Sequence, residues 1–262
     1  MTDSFASPPA GRSDPTRAVP ASAAFRRAAA TFPQDIAVLE RELAIPVRDP
    51  ESLLVLLHHV AREAVRLIAD VTWAGVTAQF TGSPFTAAHT DARVLIVDEG
   101  QYQQHDGPCL RAMRTDRSVW MSAEQVRARW PVLAVMADAA GVRSFRAEPL
   151  HVADSAVGSL NLYSNTVGGL HDPDGDLLTV LTEYLDRGLT EYCDTRPGEH
   201  LALRIRAAVQ DGNTIGRAVG ILMAVGGIDA ASARDLLHRD ADHRGVPILL
   251  IARELVDRNP GT

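Results

Sequence analysis

Apolar positions set the chain's outline. In PESLLVLLHHVAREAVRLIADV, residues 50–71, Leu53, Leu54, Leu56, Leu57, Val60, Ala61, Ala64, Val65, Leu67 and Ile68 cover more than one helical stripe. Such a helix has two faces to bury. After it come β-prone runs, TWAGVTAQF, ARVLIVD, SVWMS, VRSFRAEPL and, past the turn-like HVADSA, VGSLNLYSN. The last alternates strictly enough to predict a sheet with one solvated face. Helical stretches lie between them around GPCLRAMRT and EQVRARWPVLAVMADAAG. A further helix runs from about Asp174 to Tyr192, with Leu177, Leu181, Tyr184, Leu185 and Leu189 on adjoining faces. Helices flanking an antiparallel sheet make one α+β domain, residues 49–194.

On either side the pattern changes. Residues 1–24, with Pro8, Pro9, Pro15 and Pro20, carry too little large apolar surface to pack and read as a disordered tail. A helical segment begins near Phe25 and runs to residue 48. TRPGEH breaks the helical pattern, placing a linker at 195–199. Beyond it, residues 200–258 read as four short helices: His200 to Gln210, Thr214 to Val225, Ala230 to Asp242 with Asp229 as N-cap, and Pro247 to Asp257. In the second, Ile215, Ala218, Val219, Leu222 and Met223 form one apolar stripe, stopped by Gly226 and Gly227. Single stripes on several short helices make a small bundle.

Composition narrows the function. All 26 basic residues other than histidine are arginine, and the formal net charge is −7, so attraction to nucleic acid must come from local patches. From Arg196 onward nine arginines face eight carboxylates. The chain lacks an apolar run long enough to span a membrane and a leader-like N-terminus, which predicts a cytoplasmic protein without a membrane partner. Cys109 and Cys193 make no disulfide framework, the nine histidines lack zinc-site spacing, and no phosphate-binding glycine loop or nucleophile elbow occurs. No metal, cofactor, catalytic residue or enzymatic activity is expected.

QYQQHDGPCLRAM, RWPVLAVMADAAGVRSFRAEPLHV and VGSLNLYSN resemble the GAF domains of actinobacterial transcription antiterminators. IGRAVGILM, followed by SARDLL and IARELV, resembles the ANTAR domain found behind them. The resemblance implies a GAF sensor holding a small molecule and a C-terminal helical domain, usually dimeric, that binds paired RNA stem-loops and so prevents a terminator hairpin. It also marks departures. Arg217 stands where the family commonly has glutamine and Val219 where it has lysine, so a lysine restored at 219 should strengthen RNA binding if that side chain is exposed. Gly245, Val246 and Pro247 replace the family's polar or basic residues.

The resemblance assigns candidate RNA contacts to Arg204, Arg206, Asn213, Arg217, Arg239 and Arg244. The alternative for Arg217 is a solvated helix face, and for Arg239 and Arg244 pairing with Asp240 and Asp242. Candidate ligand contacts in the sensor are Tyr102, Cys109, Trp120, Phe145 and Asn161, around an unidentified organic effector rather than a metal. With Asp106 capping a helix begun by Gly107 and Pro108, Cys109 is either a thiolate favoured by the helix N-terminus or a small buried residue. The wide apolar surfaces of the helices at 50–71 and 174–192 predict a homodimer in which two subunits pack them together. Two functions follow: a signal-responsive RNA-binding antitermination regulator, or a ligand-binding or protein-interaction regulator whose C-terminal domain has lost RNA binding.

Overall fold

The computed structural model describes residues 22–79, 84–171, 173–194 and 201–259, with the side chains of Pro50, residues 201–206 and Ala208 outside that description. The linker expected at 195–199 and nearly all of the expected tail also lie outside it. Five strands, β1 (Trp73–Ala78), β2 (Phe85–His89), β3 (Val119–Ser122), β4 (Ser144–Val152) and β5 (Ser155–Ser164), form one antiparallel sheet in the spatial order β2-β1-β5-β4-β3. HVADSA is the β4–β5 turn, with Ala153 left-handed at φ 51°.

Alternation along the strands sends Ala74, Val76, Leu150, Leu160 and Leu162 to one face, where they join a core with α3 (Pro50–Leu67) and α8 (Gly175–Asp194). A capping box starts α3: the Asp49 carboxylate accepts from the Ser52 backbone N–H at 2.8 Å, and the Ser52 hydroxyl accepts from the Asp49 N–H in return. The opposite face is covered by α4 (Ala92–Gln103), α5 (Pro108–Thr115), α6 (Ala123–Arg129) and α7 (Pro131–Ala140).

Two readings of the sequence change here. ARVLIVD is helical, the first part of α4, because Val94 and Val97 point inward at helical spacing while Leu95 and Ile96 sit outside at 40% and 46% exposure. An apolar run with two exposed members imitates a strand. The Ser159, Asn161 and Tyr163 face of β5, read as solvated, is buried beneath α4 and α5. Its polar atoms bond to one another rather than to water.

The segment before residue 49 forms α1 (Ala23–Thr31) and α2 (Pro33–Leu43), α1 starting at a Ser22 N-cap. Ile36, Leu39 and Leu43 enter the α3/α8 core, and Arg27 clamps Asp176 of α8 with two nitrogens. These helices cover part of the apolar surface of α3 and α8. Leu181 and Leu185 are 0% exposed within the single chain.

The C-terminal bundle has three helices, α9 (Leu201–Gly226), α10 (Ala230–Arg244) and α11 (Ile248–Arg258). The break expected after Gln210 is absent. Gly212 serves contact instead: a Cβ there would lie 2.0 Å from Leu54 Cδ1, so α9 rests on α3 at a residue without a side chain. Gly227, at φ 61°, ends α9, and Asp229 caps α10 by accepting from the Ser232 N–H at 2.7 Å. Ile215, Ala218, Val219 and Ile221 pack with Ala233, Leu237, Ile251 and Val256, while Met223 lies outside that core.

Because Leu185 is enclosed by its own chain, Leu185→Ala should cost about 3 kcal/mol in urea denaturation without changing the sedimentation coefficient of the folded fraction. A dissociating dimer would instead show a shift in sedimentation.

Candidate functional site

The α+β domain's polar centre begins with one carboxylate. Asp98 on α4 is 0% exposed and faces β1 and β5 across Gly75, where a Cβ would meet Val94 at 2.6 Å. Its oxygens accept from Thr86 Oγ1 at 2.7 Å, Asn161 Nδ2 at 3.3 Å and the Tyr163 hydroxyl. Burial pushes its pKa up to about 6 against these donors, which pull the other way. Asn161 Nδ2 also donates to Thr77 Oγ1 at 2.7 Å, and the same Thr77 oxygen lies 2.8 Å from the Tyr102 hydroxyl. Burial raises both tyrosine pKa values well above the usual range, so each phenol keeps its proton.

The DGPC motif joins α5 to this network, by a route other than the expected one. Asp106 does not cap α5; it binds Arg114 and accepts from Trp130 Nε1 at 3.1 Å. Gln101 from α4 supplies the cap, its Oε1 accepting from the Cys109 N–H at 2.9 Å. Gly107 makes room for it, since a Cβ there would approach the Gln101 side chain at 2.6 Å. Cys109 is buried, and desolvation followed by the charge of Asp98 raises its thiol pKa well above the usual range. The thiolate alternative is removed, and Cys109 stands as a neutral buried group against Thr77.

Three of the five sensor candidates therefore converge: Tyr102, Cys109 and Asn161 meet around Thr77. Phe145 touches the cluster's edge, its ring T-shaped against Tyr163 at 5.9 Å. Trp120 stands apart on the edge strand, donating to Ser144 Oγ at 3.2 Å and meeting His171 at 4.6 Å. Asp98, Thr77, Thr86 and Gln101 escaped sequence reasoning. The signal was the helical spacing of Asp98, Gln101 and Tyr102, hidden once ARVLIVD was read as a strand. Among the described residues no group of three His, Cys, Asp or Glu side chains is arranged to hold a metal ion.

In the bundle, Asn213, Gly216, Arg217 and Gly220 lie on the exposed side of α9. Arg239 is exposed on α10, and among the described residues neither Arg217 nor Arg239 has an ion-pair partner. Arg244 is held by both oxygens of Glu254, at 2.8 and 2.9 Å, and by Asp240 at 3.7 Å. Arg253 pairs with Asp211 and Arg258 with Glu254. Arg204 and Arg206 fall in the first turns of α9, and their side chains lie outside the described residues. Val219 is 5% exposed within the bundle core, so the cation expected to be missing from the surface there is replaced by a core side chain. Gly245 is the left-handed C-cap of α10 at φ 62°, a structural post that a polar residue fills less well. Between α3 and α9 runs a cleft of about 840 Å³, bridged at one end where Arg234 on α10 donates to Glu51 Oε1 at 2.7 Å.

A GAF domain family model matches residues 47–189 and an ANTAR domain family model residues 203–256. The chain belongs to the GAF family, with an ANTAR domain behind it. Both are regulatory domains. A comparison with curated proteins finds no match. Three solved structures are similar at low identity. The GAF domain region of a Geobacter sulfurreducens PCA protein is 14% identical over 53% of this chain and 91% of its own, with a TM-score of 0.42. The type II free methionine-R-sulfoxide reductase of Thermoplasma acidophilum is 12% identical over 53% and 92%, with a TM-score of 0.39. The fRMsr of Staphylococcus aureus, in complex with its substrate, is 14% identical over 58% and 94%, with a TM-score of 0.43. Among the described residues of this GAF and ANTAR protein, no single helix is long and apolar enough to cross a membrane.

Two outcomes follow. Asp98 has a folded pKa of about 6, above its ordinary 3.8, so between those values the folded state holds a proton that the unfolded chain has released. Its contribution to stability rises as pH falls from about 6 to about 4, by roughly 3 kcal/mol. Denaturant titrations across that range should show this slope in the wild type and a flatter one in Asp98→Asn. In the ANTAR domain, Val219→Lys puts an ammonium into the bundle core and should destabilise it by on the order of 2 kcal/mol, read as a lower melting temperature, with no gain in RNA affinity.

Proposed function

We propose that this chain is a signal-responsive transcription antitermination regulator, its GAF domain sensing a small organic molecule and its ANTAR domain binding paired RNA stem-loops. The observation that carries the reading is the family pair in this order, with Asn213, Gly216, Arg217 and Gly220 of α9 on its exposed side and Arg217 uncommitted to any carboxylate among the described residues. Loops with splayed bases are where proteins read RNA sequence, and a free guanidinium suits either a phosphate or a base edge. The polar cluster around Asp98, Asn161 and Tyr102 is the proposed sensing centre. Its donors and acceptors now bond to each other, so an effector must replace those bonds as it enters.

A second reading draws support from the ion pairs. Arg234, Arg244, Arg253 and Arg258 each meet a carboxylate, which leaves little continuous cationic surface. On that reading the ANTAR domain keeps its bundle and binds protein rather than RNA.

A salt series with a paired stem-loop and a scrambled control separates the two. Arg217→Ala should weaken stem-loop binding and reduce the slope of log affinity against log salt by about 0.7 to 0.9, whereas Arg253→Ala should change little because Asp211 already neutralises it. If the wild type fails to distinguish hairpin from scramble at any salt, the protein-interaction reading takes over.

A further inference from the structure

The cleft between α3 and α9 is separate from the polar centre of the GAF domain, and the proposed sensing role leaves it unused. We propose that it is a binding site for a phosphate-bearing organic anion of small-metabolite size. Its volume of about 840 Å³ falls within the few hundred to about a thousand Å³ usual for small-molecule sites. One wall is α3, with His58, His59 and Arg62; the other is α9, with Asn213 and Arg217.

Charge points to an anion. Arg62 and Arg217 are exposed, and among the described residues neither meets a carboxylate. The carboxylate on the lining, Glu51, is occupied by Arg234 at 2.7 Å and faces His238 at 3.8 Å, so it offers no counter-charge to the other cations.

A carboxylate offers two oxygens, whereas a phosphate-bearing ligand carries more acceptor oxygens for the arginines contributed by the two walls of the cleft. Leu54, Val209 and Ile215 line the same cleft and suit the organic part of the ligand. Because one wall is a GAF helix and the other the ANTAR helix that bears Arg217, a bound anion joins the two domains and occupies the arginine assigned above to RNA. The site itself rests on the cleft and stands whether or not the ANTAR domain binds RNA.

The test uses the purified full chain and inorganic pyrophosphate as probe, with sodium chloride at matched ionic strength as control and binding read by calorimetry. Saturable binding is expected, weakened at least tenfold in Arg62→Gln and in Arg217→Gln. Arg258→Gln, at an exposed arginine outside the cleft, should bind as the wild type does. Circular dichroism melts establish that each variant is folded, and Arg62→Ala with Arg217→Ala provide a second pair. No saturable binding, loss of equal size in Arg258→Gln, or full binding by Arg62→Gln overturns the proposal. So does Arg62-dependent binding of the stem-loop without binding of pyrophosphate, which would make the cleft part of an RNA surface. Failure of the stem-loop alone to bind overturns the RNA reading and leaves the cleft site standing.

Discussion

A carboxylate taken out of water must be met by donors from whatever surrounds it, and Asp98 imposes that demand on the whole sensor domain. Leaving a buried acceptor unmet costs more than an ordinary hydrogen bond returns. Donors come from β5 through Asn161 and Tyr163 and from β2 through Thr86, so the position of α4 over the sheet is fixed by chemistry as well as by packing. Gly75 and Gly107 are consequences of the same demand. The first lets α4 come close enough for Asp98 to reach the strands, and the second lets Gln101, one turn further on, reach the start of α5. A network that is both buried and fully engaged specifies one arrangement.

The apolar side of the sheet is organised by α3 instead. That helix packs on the sheet and α8 along one side and on α9 along another, so its two faces belong to two different domains. The width of its apolar surface was readable from spacing alone; the identity of what covers it was not. Covering by α1, α2 and α9 depends on segments with ordinary composition, which nothing in the α3 sequence announces. Glu51 and Leu54 show the same limit. They look like a solvated acid and a core leucine, yet one binds Arg234 of α10 and the other lies against Gly212 of α9.

The parts of the fold that were legible in the sequence share a property: local signals agreed with the tertiary environment. Asp49 and Asp229 cap the helices they precede, Gly227 ends α9, and the alternating strands β4 and β5 pair across the HVADSA turn. Illegible parts are those where long-range contact overrode a local signal. Leu95 and Ile96 remain exposed and gave α4 the look of a strand. FTAAH carries too many small residues to announce β2, which exists because β1 pairs with it. At the candidate site, Tyr102, Cys109 and Asn161 were found by resemblance. Asp98 was not, because a lone acid on an apparent strand carries no sign that it will be buried.

The unbroken course of α9 has a mechanical meaning. A helix bends little over such a length, and this one touches α3 at Gly212 and continues to Gly226, about 14 residues or about 21 Å further on. It is a lever whose fulcrum lies on the GAF domain. A tilt of about 5° at the fulcrum displaces its far end by about 2 Å, a distance comparable to the difference between a made and a broken hydrogen bond. Motion at the wall of the GAF domain thus reaches the segment around Arg217 and Gly220 in proportion to length, with no joint in between to absorb it.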